Sequence, residues 1–345
     1  MNKIKIFYIL CFVFLLTGCE KLFIKPDAEN TATGIFTQAW QYTKSHYCCF
    51  DSKQVDWDNV YQTYSARVDD GMDADSLHRV IHQMLSVLED EGIAIVGELG
   101  TLRHEIDNSM YPSNLDTAVV TNNYTAYYND YNLDYYDHGG YSVFNGEVAY
   151  LRKFSKDRVE NRLWSIWMNQ YKGLIMDFRN LGPDDHNISY ECNDETKEEE
   201  LSNIIMNPKP RNREIGSKRL KIGAGENDYR TNKLKVGDSG CIPRNDYPII
   251  ILCNRETYGG SNRTVYAMST LSNVTVIGDR TGGGNISGST FMLSNGWLLN
   301  IPGGTIFDLD GNTLQSGFDP DIFINDDTAT TDKDEIIEKA LELLN

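Results

Sequence analysis

Residues 254–261 read Asn254-Arg255-Glu256-Thr257-Tyr258-Gly259-Gly260-Ser261, after an apolar run from Tyr247 to Cys253 and before a helix-like stretch from Thr264 to Leu271. Nucleophilic catalysis at such a strand-to-helix turn needs a nucleophile, a base, an orienting acid and N–H donors for an oxyanion. Ser261 is the hydroxyl at the turn. A helix starting there turns a side chain by about 200° in two steps, so Ser261 points away from the direction of position 259. Its competing reading is a polar helix-start residue. His78 and His82, four apart on a helix, have metal-ligand spacing but no third ligand, and are expected at the surface or partly buried. His104 has nothing around it that marks a base.

Three further patterns read as structure rather than chemistry. Gly282-Gly283-Gly284 resembles a phosphate cradle without the Lys-Ser/Thr that such a loop needs, and fits a tight turn. Asp308-x-Asp310-Gly311-Asn312 begins like a calcium loop without its closing glutamate, and fits a hairpin turn. Cys48, Cys49, Cys192, Cys241 and Cys253 are too scattered for a metal framework. Cys253, at the end of a buried strand, is expected to pack as a small apolar residue. Cys192 and Cys241 could pair in an oxidising compartment.

The elements that position these residues follow from periodicity. Residues 31–92 are expected to be helical, with Phe36, Trp40 and Tyr47 at helical spacing, a start at Asp56, and an apolar stripe from Leu77 to Leu88. Residues 93–145 are mixed strand and loop, with tyrosines clustered over Tyr124–Tyr141. From 146 an α/β rhythm sets in. Strands are expected at 148–151, 173–179, 247–253 and 274–277, and helices at 158–170 and 264–271. An amphipathic closing helix over 331–344 is capped by Thr331 and Asp334. Alternation of this kind predicts a largely parallel sheet with flanking helices, plus an N-terminal helical subdomain.

The chain has 345 residues, 40% of them hydrophobic, and a formal net charge of −18. That length supports a sizeable core, and the acidic balance argues against nucleic acid as a partner. Lys3 and Lys5 precede an apolar stretch, Phe7 to Leu16, too short to span a bilayer. Leu16-Thr17-Gly18-Cys19 then reads as a lipoprotein signal-peptidase box. The expectations are a signal peptide over 1–18, lipid on Cys19, a tether over 19–32, and residence on the bacterial cell envelope, on its outer membrane.

Several segments together resemble the tail-specific (C-terminal processing) serine peptidases, in their tricorn-core-like branch. Asn254-Arg255-Glu256-Thr257-Tyr258, a helix, Asn273-Val274-Thr275-Val276-Ile277-Gly278 and Thr281-Gly282-Gly283 match the family's nucleophile segment. Trp40, Tyr47, Asp56-Trp57 and Tyr61 match its opening helices, and Gly173 to Arg179 its Gly-Leu-Ile-x-Asp-x-Arg strand. Gly223 to Tyr229, Asn295-Gly296-Trp297 and Gly317-x-x-Pro320-Asp321 match later motifs. The resemblance implies a core of the ClpP/crotonase kind over 146–345, an N-terminal helical subdomain over 33–92 and a mixed segment over 93–145. The last is too short for an inserted peptide-binding domain. It implies no cofactor and no metal.

At the family's working positions this chain departs. The nucleophile position is Gly259 and the base position is Gly92. Pro183, which has no N–H, stands in the oxyanion run, and Gln315 stands where the orienting acid belongs. The expected function is therefore that of a pseudo-peptidase. Its cleft, at Gly182, Gly259, Gly260, Ser261 and Gly282, would bind a peptide, a protein terminus or an envelope partner. The alternatives are an active serine peptidase rebuilt on Ser261 and a scaffold with no ligand.

Overall fold

The run Ile249-Ile250-Ile251-Leu252-Cys253 is buried along its whole length, as a strand covered on both faces must be. It is the middle of a six-stranded sheet. The computed structural model describes residues 30–105, 115–124, 140–144, 147–152, 171–181, 213–223, 225, 228–236, 248–286, 288–324 and 333–345. The strands are β1 (Ala94–Gly97), β2 (Gly100–Arg103), β3 (Gly140–Phe144), β4 (Val148–Arg152), β5 (Gly173–Asp177), β6 (Arg213–Lys221), β7 (Tyr229–Val236), β8 (Ile249–Cys253), β9 (Val274–Gly278), β10 (Ser289–Met292), β11 (Leu298–Ile301), β12 (Gly304–Phe307) and β13 (Ile322–Phe323). The helices that matter here are α1 (Ala32–His46), α2 (Phe50–Lys53), α3 (Trp57–Ser65), α4 (Ala74–Ser86), α5 (Gly260–Ser269) and α6 (Glu335–Leu344).

The large sheet has the order β13-β9-β8-β5-β4-β3. Its pairs are parallel except β3 with β4. Alternate residues of β5 and β8 feed two cores. Leu174, Met176, Ile249, Ile251 and Cys253 pack with Val265 and Met268 of α5. On the other face Ile175, Ile250 and Leu252 pack with Ile336, Ile337, Ala340 and Leu344 of α6. The mixed α/β architecture, the largely parallel sheet and the N-terminal helices match the expectation.

The N-terminal helices bury their apolar faces on a second sheet, ordered β10-β11-β1-β2. Its strands β10 and β11 come from late in the chain. Leu293, Trp297, Leu299 and Ile301 thus share a core with Phe36, Tyr47, Cys48, Cys49, Ile81 and Met84. Cys48, Cys49 and Cys253 are buried free thiols, and burial pushes the Cys48 and Cys253 pKa values up. A third sheet, β12-β6-β7, is antiparallel.

Three expectations need correction. His78 is fully buried. It makes a ring-nitrogen hydrogen bond with Ile95 O at 3.3 Å, accepts one from Leu99 N at 3.2 Å and lies against Trp297, so backbone partners supply what solvent would have. Helix α5 starts at Gly260, four residues before the expected start at Thr264. The closing helix starts after Asp334, whose carboxylate accepts from Ile336 N and Ile337 N. The helix expected at 158–170, the Cys192 and Cys241 positions, most of the tyrosine cluster, the apolar leader and Cys19 lie outside the described residues.

A buried ion network ties α6 to the sheet. Arg179 Nη2 lies 2.8 Å from Asp177 Oδ2, and Arg179 Nη1 lies 2.8 Å from Asp334 Oδ2. Tyr150 O–H donates to Asp177 at 2.8 Å. Burial alone would raise the Asp177 pKa, but Arg179 and Arg152 outweigh it and hold the carboxyl below the ordinary range. Burial pushes Asp334 up, with Arg179 only partly offsetting it.

Candidate functional site

The turn after β8 is built by side chains that satisfy its backbone. Asn254 Oδ1 accepts from Asn180 N at 3.0 Å and from Glu256 N at 3.2 Å. Thr257 O–H donates to Phe178 O at 2.9 Å, and its oxygen accepts from Asn254 N at 3.0 Å. Tyr258 N donates to Leu181 O at 3.1 Å. The ends of β5 and β8 are thereby clamped together. Asn180 has φ 53°, a left-handed conformation that asparagine accepts more readily than most residues.

Gly259 sits at the sharp point of this turn, with φ 60° and ψ −119°, immediately before α5. Strand-to-helix elbows that present a nucleophile use a similarly strained turn. A Cβ built on Gly259 meets no atom within 4 Å. The strained backbone and the open space for a side chain are both present, and the residue has no side chain.

The other sequence-predicted positions come to the same place. Gly259 N donates to Gly283 O at 2.7 Å, Gly282 N to Thr257 O at 3.0 Å, and Gly284 N to Gln315 O at 2.9 Å. A Cβ on Gly283 would collide with the Gln315 carbonyl oxygen, so the tight-turn reading of the glycine run has a steric basis. Gln315 Oε1 accepts from Ser52 Oγ at 3.1 Å. Gly92 approaches through Asp90, and a Cβ on it would stand 2.8 Å from Pro302 Cγ and 3.1 Å from Asp90 Oδ1. Gly92, Gly259 and Gln315 therefore gather around residues 281–285, while Gly182 and Pro183 lie outside the described residues. Ser261 is the second residue of α5 and is buried. The histidines with described ring partners are engaged elsewhere, His46 with Tyr42 O, His78 with Ile95 O and His82 with Arg103 O.

Sequence reasoning missed the group that occupies the centre of this arrangement. Asp90 is 2% exposed. Its carboxylate accepts from Asn285 Nδ2 at 2.7 Å, Gly92 N at 2.9 Å, Tyr47 O–H at 3.0 Å and Tyr258 O–H at 3.3 Å. Burial, then the Asp90 charge, pushes both tyrosines far above the ordinary phenol range. Asn285 also takes the Cys49 S–H at 3.4 Å. The sequence signal for Asp90 was its place two residues before Gly92, the base position. Among the described residues no group of three or more His, Cys, Asp or Glu could hold a metal ion. An open hollow of about 590 Å³ at His82, Ser86, Arg103, His104 and Glu105 shares no lining residue with the elbow.

Comparison with known proteins places this architecture. Residues 147–324 match peptidase family S41, and residues 28–86 match the tricorn protease C1 domain. The chain belongs to peptidase family S41. A crystal structure of a candidate peptidase from Parabacteroides merdae is similar at 25% identity and TM-score 0.74, over 92% of this chain and 97% of that one. A lipoprotein from Streptococcus agalactiae aligns at 15% identity and TM-score 0.57, over 94% and 98% of the two chains. The photosystem II D1 C-terminal processing protease aligns at 13% identity and TM-score 0.50, over 91% and 98%. No curated protein matches the chain by sequence.

Proposed function

We propose that this member of peptidase family S41 is a pseudo-peptidase, held on the cell envelope by lipid on Cys19, whose elbow cleft binds a peptide or a protein terminus. The observation that carries this reading is Gly259. The strained elbow persists with room for a side chain, yet a glycine cannot supply a nucleophile. Three further features support it. Position 92 is a glycine packed against Pro302, so a histidine there would need the proline to move. Gln315 carries no charge to stabilise an imidazolium. Asp90, the charge at the centre, is consumed by four donors. Ser261 is the fallback nucleophile of the competing reading, an active peptidase, but it is buried in the first turn of α5.

The cleft is tested with the full chain in detergent and a library of peptides with free C-termini. Gly259→Leu fills the open space, and Gly259→Ala carries the same backbone strain with little volume. Binding that survives in the alanine variant and is lost in the leucine variant supports the cleft. Equal binding by both removes it. The anchor is tested by Cys19→Ser, which should move the protein from the membrane to the soluble fraction, since acyl chains contribute about 0.8 kcal/mol per buried CH₂.

A further inference from the structure

The chain carries a formal charge of −18, but the β6–β7 hairpin has the opposite sign. Its strands read REIGSKRLK and YRTNKLKV. Seven of these residues are Lys or Arg and one, Glu214, is acidic, a net of six positive charges. Ser217 stands opposite Lys233, Arg219 opposite Thr231 and Lys221 opposite Tyr229, while Phe307 of β12 stands opposite Ser217. These residues share one face of the sheet. Ile306 and Leu234 on the other face belong to the small core against α5.

On the charged face, cations alternate with rings. The Arg219 guanidinium carbon lies 4.7 Å from the Tyr229 ring centre and 5.1 Å from that of Phe307, and Lys221 Nζ lies 4.4 Å from Tyr229. Arg219 pairs with Asp51 at 2.9 Å. Ser52, next in the chain, donates to Gln315. The basic face therefore borders the elbow site.

Strand β7 is the last in the order β12-β6-β7, and among the described residues its outer edge pairs with no strand. Arg230, Thr231, Lys233 and Lys235 are exposed along it. Lysines on an edge strand often serve to discourage pairing. That explains charge on β7 alone. It does not account for Arg219 and Lys221 on β6, which lies inside the sheet and sets them on the same face as Lys233, although Arg219 also meets Asp51, Lys221 donates to Gly225 O at 2.6 Å and Lys233 pairs with Glu214 at 2.7 Å.

We propose that the β7 edge docks an extended acidic segment of a partner protein, which adds as a further strand and sets its carboxylates against Lys233, Lys235 and Arg219. Charge complementarity selects the acidic partner, and only a polypeptide backbone can also satisfy the strand edge. The proposal adds the partner's chemistry to the binding role above, but it concerns a separate surface.

The test uses the full chain and a fluorescent Glu-rich β-forming peptide. Three controls accompany it: the Gln counterpart, a copy N-methylated at alternate residues, and inorganic polyphosphate or anionic phospholipid vesicles. The acidic peptide is expected to bind, and Lys233→Glu/Lys235→Glu should weaken it by about tenfold or more. Lys233→Gln/Lys235→Gln should give a smaller loss with an unchanged thermal melt. N-methylation should weaken binding as much as charge reversal does. No binding of the acidic peptide overturns the proposal. So does equal binding of the N-methylated copy, or a preference for polyphosphate or vesicles, because each makes the hairpin a generic anion surface. The Gly259→Leu experiment reads the cleft separately, so the failure of one reading is not the failure of the other.

Discussion

Tyr258 donates its hydroxyl to Asp90 at 3.3 Å, across 168 positions of sequence. Tyr258 directly precedes the elbow glycine, and Asp90 lies two residues before Gly92. This bond joins the segment where a nucleophile would stand to the segment where a base would stand. With Tyr47, Asn285 and Gly92 N on the same carboxylate, the space between the two segments is held by a closed polar cluster.

Asp90→Ala leaves Tyr47, Tyr258 and Asn285 with buried donors and no acceptor. Each orphaned group costs on the order of 1–3 kcal/mol, so the variant should lose about 3–5 kcal/mol of stability in urea unfolding. A loss below about 1 kcal/mol would mean that water replaces the carboxylate.

The same cluster fixes a pH dependence. Tyr47 and Tyr258 have raised pKa values in the folded protein, by burial first and Asp90 second. The raised native value means that their contribution is fully present below the unfolded phenol pKa, about 10. It is lost as pH rises above that point, where the unfolded chain releases the protons and the native state does not. Stability should therefore fall above about pH 10. Tyr47→Phe/Tyr258→Phe should fall less steeply in denaturant titrations at stepped alkaline pH.

Putting back single family residues should cost stability in two different ways. Gly259→Ser has room for its side chain but must hold φ 60°, a strain of about 1–3 kcal/mol. Gly92→His meets Pro302 and should cost about 1–3 kcal/mol through overpacking. Adding Pro302→Ala should recover much of the second loss and none of the first, which paired thermal melts will show.

Arg179 is wholly buried between Asp177 and Asp334. Arg179→Leu leaves buried Asp334 without its cation and Asp177 with Arg152 alone, at 3.3 Å, and breaking a buried pair in this way typically costs about 3–5 kcal/mol. Asp334 caps α6, so the loss should appear first as faster proteolysis of the C-terminal helix, read by mass spectrometry of the fragments.

The sheet was legible because β5, β8 and β9 are apolar runs bounded by turn residues, a pattern that depends only on neighbours in sequence. The elbow was legible because Asn254 and Thr257 serve the local turn. The start of α5 was not. Asn262 and Arg263 are polar yet buried, bonded to Leu314 O and Asn285 O, so apolar periodicity begins too late. His78 was misplaced for the same reason, since backbone partners let a polar ring sit in a core. The Asp90 cluster joins residues 43, 168 and 195 positions apart, and local pattern carries no trace of that. The basic hairpin was hidden by the net charge of the whole chain, which averages it away.

Intact-mass labelling with a serine-directed fluorophosphonate, on the full chain and on Ser261→Ala, tests the central claim most directly. The account predicts no adduct on either protein, with both shown to be folded. A stoichiometric adduct on the parent that disappears in Ser261→Ala would contradict it and make Ser261 a working nucleophile.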